Sequence, residues 1–282
     1  MYENNPQSKL MENKVVLSLN SYHGFNVDLA LEGAAAAGFR YIEPCAVRGW
    51  AEDVMPDMDR AELNRIKNKM ADLGLVPLAL SGHCNLLDDQ RLEDFRKNIY
   101  LAAELGCEFI ISSTGEAHFG NDERIADDAL AENITHLLPD LKKTGLVLGL
   151  EVHGEYGTGS SLRAVVEKVA SDLVGVAYDT GNAMYYGGKK CEEEIKTCAD
   201  IVKYVHLKDK RGSQKEWDFP ATGKGELNLA AFMDYLESNG YKGPYSVEIE
   251  YTEEFTMNPK KPGDINIANQ AVKDSFAFFK NR

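Results

Sequence analysis

No apolar run in this chain approaches the roughly 20 residues that a bilayer-crossing helix needs, so a spanning segment is not expected. Basic clusters are scarce too. The longest is KDKR at 208–211, and 31 Lys and Arg against 45 Asp and Glu leave a formal net charge of −14. Phosphate backbones are gripped by Lys and Arg patches, so nucleic acid is set aside as a partner. Cys45, Cys84, Cys107, Cys191 and Cys198 form an odd set without a close CxxC pair. That pattern predicts reduced thiols and a cytoplasmic location. The opening MYENNPQSKLMENK has no apolar centre, which argues against a signal peptide, and residues 1–13 are expected to be a leader outside the fold. No GxGxxG follows the first apolar run, which removes the main support for a dinucleotide-binding sheet. A Gly-rich loop flanked by Lys or Arg is also missing, and an unphosphorylated substrate is favoured.

What the chain does contain is alternation. Strand-like runs are expected at Val15–Leu19, Tyr41–Glu43, Val76–Leu80, Phe109–Ser112, Val147–Glu151, Val174–Tyr178, Val202–His206 and Tyr245–Ile249. Helical stretches are expected between and after them, at 26–37, 59–73, 90–105, 124–143, 161–170, 189–199, 227–239 and 264–280. Gly38, Gly74, Gly106, Gly145 and Gly240 follow helical runs, where a left-handed C-cap is wanted. Eight strands alternating with eight helices, without a break in composition, predict one α/β domain over residues 14–282. Its even spacing favours a closed (β/α)₈ TIM barrel.

In such a barrel the chemistry sits at the C-terminal strand ends. Glu151 closes VLGLE, Asp179 closes VGVAYD, His206 closes VKYVH and Glu248 lies in YSVEIE; the first three are 28 and 27 residues apart. A charge closing an apolar run is costly unless it is paired. Three carboxylates and one imidazole describe a site for one divalent metal, and this donor set does not choose among ions. Five of the six histidines also fall at strand ends, His136 being the exception.

The phrases LEVHG, DTGN, HLKD and GPYSVEIE, with GKGELN at 223–228, resemble the sugar isomerase/epimerase barrels of the xylose isomerase-like superfamily, over essentially residues 14–280. In its ketose 3-epimerase-like members a Mn²⁺ or similar ion is held by Glu, Asp, His and Glu. The resemblance therefore implies Glu151, Asp179, His206 and Glu248 as ligands, with Mn²⁺ taken first and Mg²⁺, Co²⁺ or Zn²⁺ as alternatives. It also implies Glu151 and Glu248 as the acid/base pair on opposite faces of the substrate. The expected reaction is isomerisation or epimerisation of a sugar or sugar-like ketone by proton abstraction through a metal-stabilised enediolate. One departure stands out: Asn182 occupies a position where many relatives carry a substrate-contacting histidine.

By strand alternation His153 shares the face of Glu151, as a separate acid/base or as a residue ordering Glu151. His83, Glu116, Asn182 and Lys208 are expected to contact substrate, Lys208 alternatively forming an ion pair beside Asp209. Glu43 is read as a surface carboxylate or a supporting one. Trp50 and Phe119 are read as sugar-stacking or loop-packing aromatics. The leading alternative function is a lyase of the same superfamily, a dehydratase or a 3-keto-C-glycoside deglycosidase, which begins with the same proton abstraction. The multi-zinc endonuclease alternative conflicts with the net charge of −14. A binding-only barrel would leave the metal quartet idle. Partners are limited to a small sugar-like molecule, with self-association left open.

Overall fold

The computed structural model describes residues 14–115 and 127–282. Its first barrel strand, Val15–Ser18, pairs in parallel with Tyr41–Glu43 on one side and Tyr245–Val247 on the other. The sheet continues from Tyr245–Val247 through Val202–Leu207, Val174–Asp179 and Val147–Glu151 to Phe109–Ser112. The third strand closes the ring in two pieces. Val76–Pro77 pairs with the second strand, and Ala79–Ser81 pairs with the fourth. Leu78 joins them: its N–H donates to the Ile42 carbonyl, and its own carbonyl accepts from Phe109. Pro77 lacks an N–H, which accounts for an interrupted ladder there without opening the barrel. The expected eight-stranded barrel is therefore present.

Helices pack outside this ring, and most begin at a side chain that satisfies their free N–H groups. Asn26 caps Val27–Ala37, Asp59 caps Arg60–Asp72, Asp88 caps Asp89–Leu105, and Thr158 with Ser161 forms a capping box on Gly159–Val169. Two expected helices differ from the sequence reading. The stretch 124–143 is divided into Asp127–Thr135 and Leu138–Thr144, with Pro139 in the first turn of the second. A proline at that position has no N–H for the preceding helix, so the break falls before it. The stretch 189–199 reduces to Cys191–Glu194 followed by two 3-10 turns. An additional short helix, Thr180–Tyr185, starts directly at the end of the sixth strand. Strand ends differ by one or two residues, since Leu19, Glu248 and Ile249 leave the ladder while Ser81, Asp179 and Leu207 join it.

The barrel interior carries a small apolar layer of Ala79, Ile111, Ala177 and Tyr204, with Phe109 against it. Gly149 completes this layer: a Cβ there would lie 2.9 Å from both Ala177 Cβ and Ile111 Cδ1. One strand repeat further along lie Ser81, Glu151, Asp179 and His206. The plug thus sits beneath the polar residues and supports them. Two short antiparallel pairs, Ala46–Val47 with Ala51–Glu52 and Asp218–Phe219 with Tyr251–Thr252, lie above the C-terminal rim. No described helix is long and apolar enough to cross a membrane.

Candidate metal centre and substrate pocket

Glu151, Asp179, His206 and Glu248 are brought together. One donor atom from each lies within 4.8 Å of all the others, and all four residues are buried. His206 Nδ1 is 2.6 Å from Glu151 Oε1, 3.7 Å from Glu248 Oε2 and 4.0 Å from Asp179 Oδ2. Asp179 is divided in its duties. Its Oδ1 accepts the Asn182 N–H at 2.8 Å, starting the short helix, while the buried Oδ2 accepts no hydrogen bond. A wholly buried carboxylate oxygen without a hydrogen bond is costly, and its nearest charge partner is the Lys208 ammonium, 3.0 Å away. The donor set, three carboxylates and one imidazole converging on one point, fits a divalent ion.

Lys208 does not pair with Asp209. Its ammonium lies 3.0 Å from Asp179 Oδ2, 2.9 Å from Glu248 Oε2 and 3.3 Å from Glu250 Oε2. Burial alone would push this lysine down, but Asp179, Glu248 and Glu250 outweigh it and hold the ammonium charged. Asp209 instead accepts from the backbone of Lys210, Gly223, Gly225 and Leu227, which folds the GKGELN loop back onto the strand end. Burial raises the Asp179 carboxyl, opposed by Lys208 and reinforced by Glu248 and Glu151. Burial likewise pushes Glu250 up to about 7, with Lys208 working against it. These shifts express one condition: several carboxylates face a single ammonium, with His206 and, at 3.8 Å from Glu151, His83 beside them.

The pocket over this cluster is lined by His83, Glu151, His153, Asn182, Lys208 and Glu248, and by the aromatic rings of Trp50, Tyr185, Tyr186, Trp217 and Phe219. His153 stands beside the cluster, and its Nε2 is 3.0 Å from the Tyr186 hydroxyl. His83 Nδ1 accepts the Ser113 N–H at 2.8 Å, so the ring proton sits on Nε2. Asn182 donates to the Val152 carbonyl at 3.0 Å, which fixes the orientation of its amide. Trp50 is a pocket wall stacked on His23, with ring centroids 4.0 Å apart. His23 is thereby placed behind the wall, away from the cluster. Glu116, His118 and Phe119 lie outside the described residues.

Two contributors escaped the sequence reading, and a third was read there only loosely. Asn20 donates to Glu248 Oε1 at 3.1 Å and to Glu250 Oε1 at 3.2 Å, while accepting from Trp50 Nε1 at 3.0 Å. Glu250 is the third carboxylate around Lys208. Glu43, read as a surface or supporting carboxylate, has no exposed surface and lies 2.9 Å from His206 Nε2. Position at a strand end was the available signal for Glu43 and Glu250; nothing local marks Asn20.

The profile of the xylose isomerase-like TIM barrel family matches residues 31–282. Among curated proteins, an inosose dehydratase of Geobacillus kaustophilus is 26% identical over 171 residues, 55% of this chain and 54% of the relative. The match therefore spans about half the length of that protein. Among solved structures, a D-allulose 3-epimerase from Methylomonas sp. in complex with D-allulose superposes with a TM-score of 0.73 at 18% identity, covering 96% of this chain and 97% of the other. A xylose isomerase-like TIM barrel protein from Mycobacterium smegmatis in complex with magnesium gives 0.71 at 15% identity, covering 98% and 100%. At such identities the structural likeness establishes the fold alone.

Proposed function

The chain belongs to the xylose isomerase-like TIM barrel family, and from that premise we propose that it is a divalent-metal-dependent isomerase or epimerase of a sugar or sugar-like ketone. The observation that carries the reading is the convergence of Glu151, Asp179, His206 and Glu248 at one point. These four residues would hold the ion. Bound there, it would supply Lewis-acid polarisation of neighbouring substrate oxygens.

The remaining chemistry belongs to the chain. Glu151 and Glu248 arrive from the fifth and eighth strands and would flank a ketone from two sides, one removing the proton beside the carbonyl and the other returning it. His153, steadied by Tyr186, would serve a substrate hydroxyl or a second proton transfer. His83, Asn182 and Lys208 would orient substrate oxygens. Trp50, Trp217 and Phe219 would cover its apolar face and exclude water. Mn²⁺ is the first ion to test, with Mg²⁺, Co²⁺ and Zn²⁺ beside it; the magnesium in the Mycobacterium smegmatis protein keeps that choice open.

A specific observation supports a second reading, a dehydratase-type lyase. Both Glu248 oxygens are already engaged, one by Asn20 and the other by Lys208, which leaves Glu151 the freer base. The curated relative is also an inosose dehydratase. The deciding experiment incubates the metal-reconstituted protein in D₂O with ketoses, keto-inositols and 3-keto-glycosides. An isomer carrying solvent deuterium supports the first reading, loss of water or aglycone supports the second, and absence of turnover on all of them overturns both.

A further inference from the structure

Glu43 extends from the second strand into the middle of the barrel and has no exposed surface. Its Oε1 and Oε2 lie 2.9 and 3.2 Å from His206 Nε2. The same Oε2 accepts from the Tyr204 hydroxyl at 2.7 Å and the Ser246 hydroxyl at 2.8 Å. Tyr204 and His206 share a face of the seventh strand, and Ser246 is the register partner of His206 on the eighth. Three strands therefore converge on one carboxylate, and among the described residues His206 is the only cationic partner that its contacts supply. Burying a carboxylate at the centre of an apolar plug is costly. A purely space-filling role would be met at lower cost by an uncharged side chain.

We propose that Glu43 is a positioning residue for the metal centre. It accepts the Nε2 proton of His206, fixes the ring plane, and leaves Nδ1 as the nitrogen directed at Glu151, Asp179 and Glu248. Tyr204 and Ser246 hold Glu43 in turn, so the orientation of one ligand is set by groups that never reach the pocket. None of the three lines it. The assignment rests on the proposed metal site, where a ligand imidazole held at its other nitrogen is a general requirement.

The test compares wild type with Glu43→Gln, Glu43→Ala and Tyr204→Phe, using Mn²⁺ as the probe and circular dichroism to confirm folding. Equilibrium dialysis should show Mn²⁺ affinity falling roughly 10–100-fold in Glu43→Ala, with smaller losses in the other two. In the metal-free protein, the low-field imidazole proton of His206 should be present in wild type. It should vanish or move upfield in both Glu43 variants. Should Glu43→Ala fail to fold, Glu43→Gln and Tyr204→Phe carry both readouts. Wild-type Mn²⁺ affinity in a folded Glu43 variant overturns the positioning role alone. Failure of wild type to bind any divalent ion overturns the metal reading and this assignment with it, and the proton resonance then reports whether the Glu43–His206 contact still exists.

Discussion

Among single side chains, Glu151 and His153 make the sharpest contrast. Glu151→Gln keeps an amide oxygen for the cation but has no carboxylate to carry a proton, so turnover should fall far more than Mn²⁺ affinity, as read by steady-state rates and dialysis on the same sample. His153 contacts Tyr186 and stands outside the four-residue cluster. If it acts on substrate, His153→Asn should lower the rate by roughly 10²–10⁴-fold at unchanged metal occupancy. A loss of metal affinity instead would make it a supporting residue for Glu151. Glu151, Asp179, His206 and Glu248, with His83, Asn182 and Lys208, were legible as strand-end residues because strand direction alone places them on one rim. Asn20 was not, and Glu43 was readable only as a surface or supporting carboxylate, because their partners are 228 and 163 residues away and reach them only across the closed barrel. Lys208 illustrates the same limit: its neighbour Asp209 in sequence is not its partner in space.

Elements translate local sequence into placement. The fifth strand is held close to the fourth and sixth because Gly149 has no Cβ to meet Ile111 and Ala177. Gly149→Val should cost about 1–3 kcal/mol by overpacking, measured by urea unfolding. Two residues on, Glu151 would be displaced with the strand, so activity should fall more than stability accounts for; full activity in the folded variant would separate the plug from the site. Capping residues and C-terminal glycines made most helix boundaries readable to within a residue or two. The stretch 189–199 was not readable in this way. There the helix ends after Glu194, whose carboxylate turns to accept the N–H groups of Gly159 and Ser160. That tertiary bond to the start of the helix Gly159–Val169 is one no propensity argument anticipates.

Across the whole molecule, the barrel gathers carboxylates that repel one another unless a cation lies between them. Without metal, Lys208 and a protonated His206 supply that compensation; a bound divalent ion would replace the His206 Nδ1 proton and add charge beside Lys208. Removal of metal by a chelator should therefore lower the thermal midpoint, and restoring Mn²⁺ should raise it. An ion at 100 times its dissociation constant adds about 2.7 kcal/mol to stability. A midpoint indifferent to both would mean that the protein does not bind the ion in its folded state. The order of strands and the rim they build were legible as a repeating phrase of helix, glycine and strand. The two hairpins above the rim were not, being fixed by long-range pairing of two-residue segments. The most direct measurement is anomalous diffraction at the manganese edge from crystals grown with Mn²⁺. A single peak should lie within about 2.0–2.6 Å of donor atoms from Glu151, Asp179, His206 and Glu248 together. A peak that engages a different set of residues, or active crystals with no peak at these four, would contradict the account.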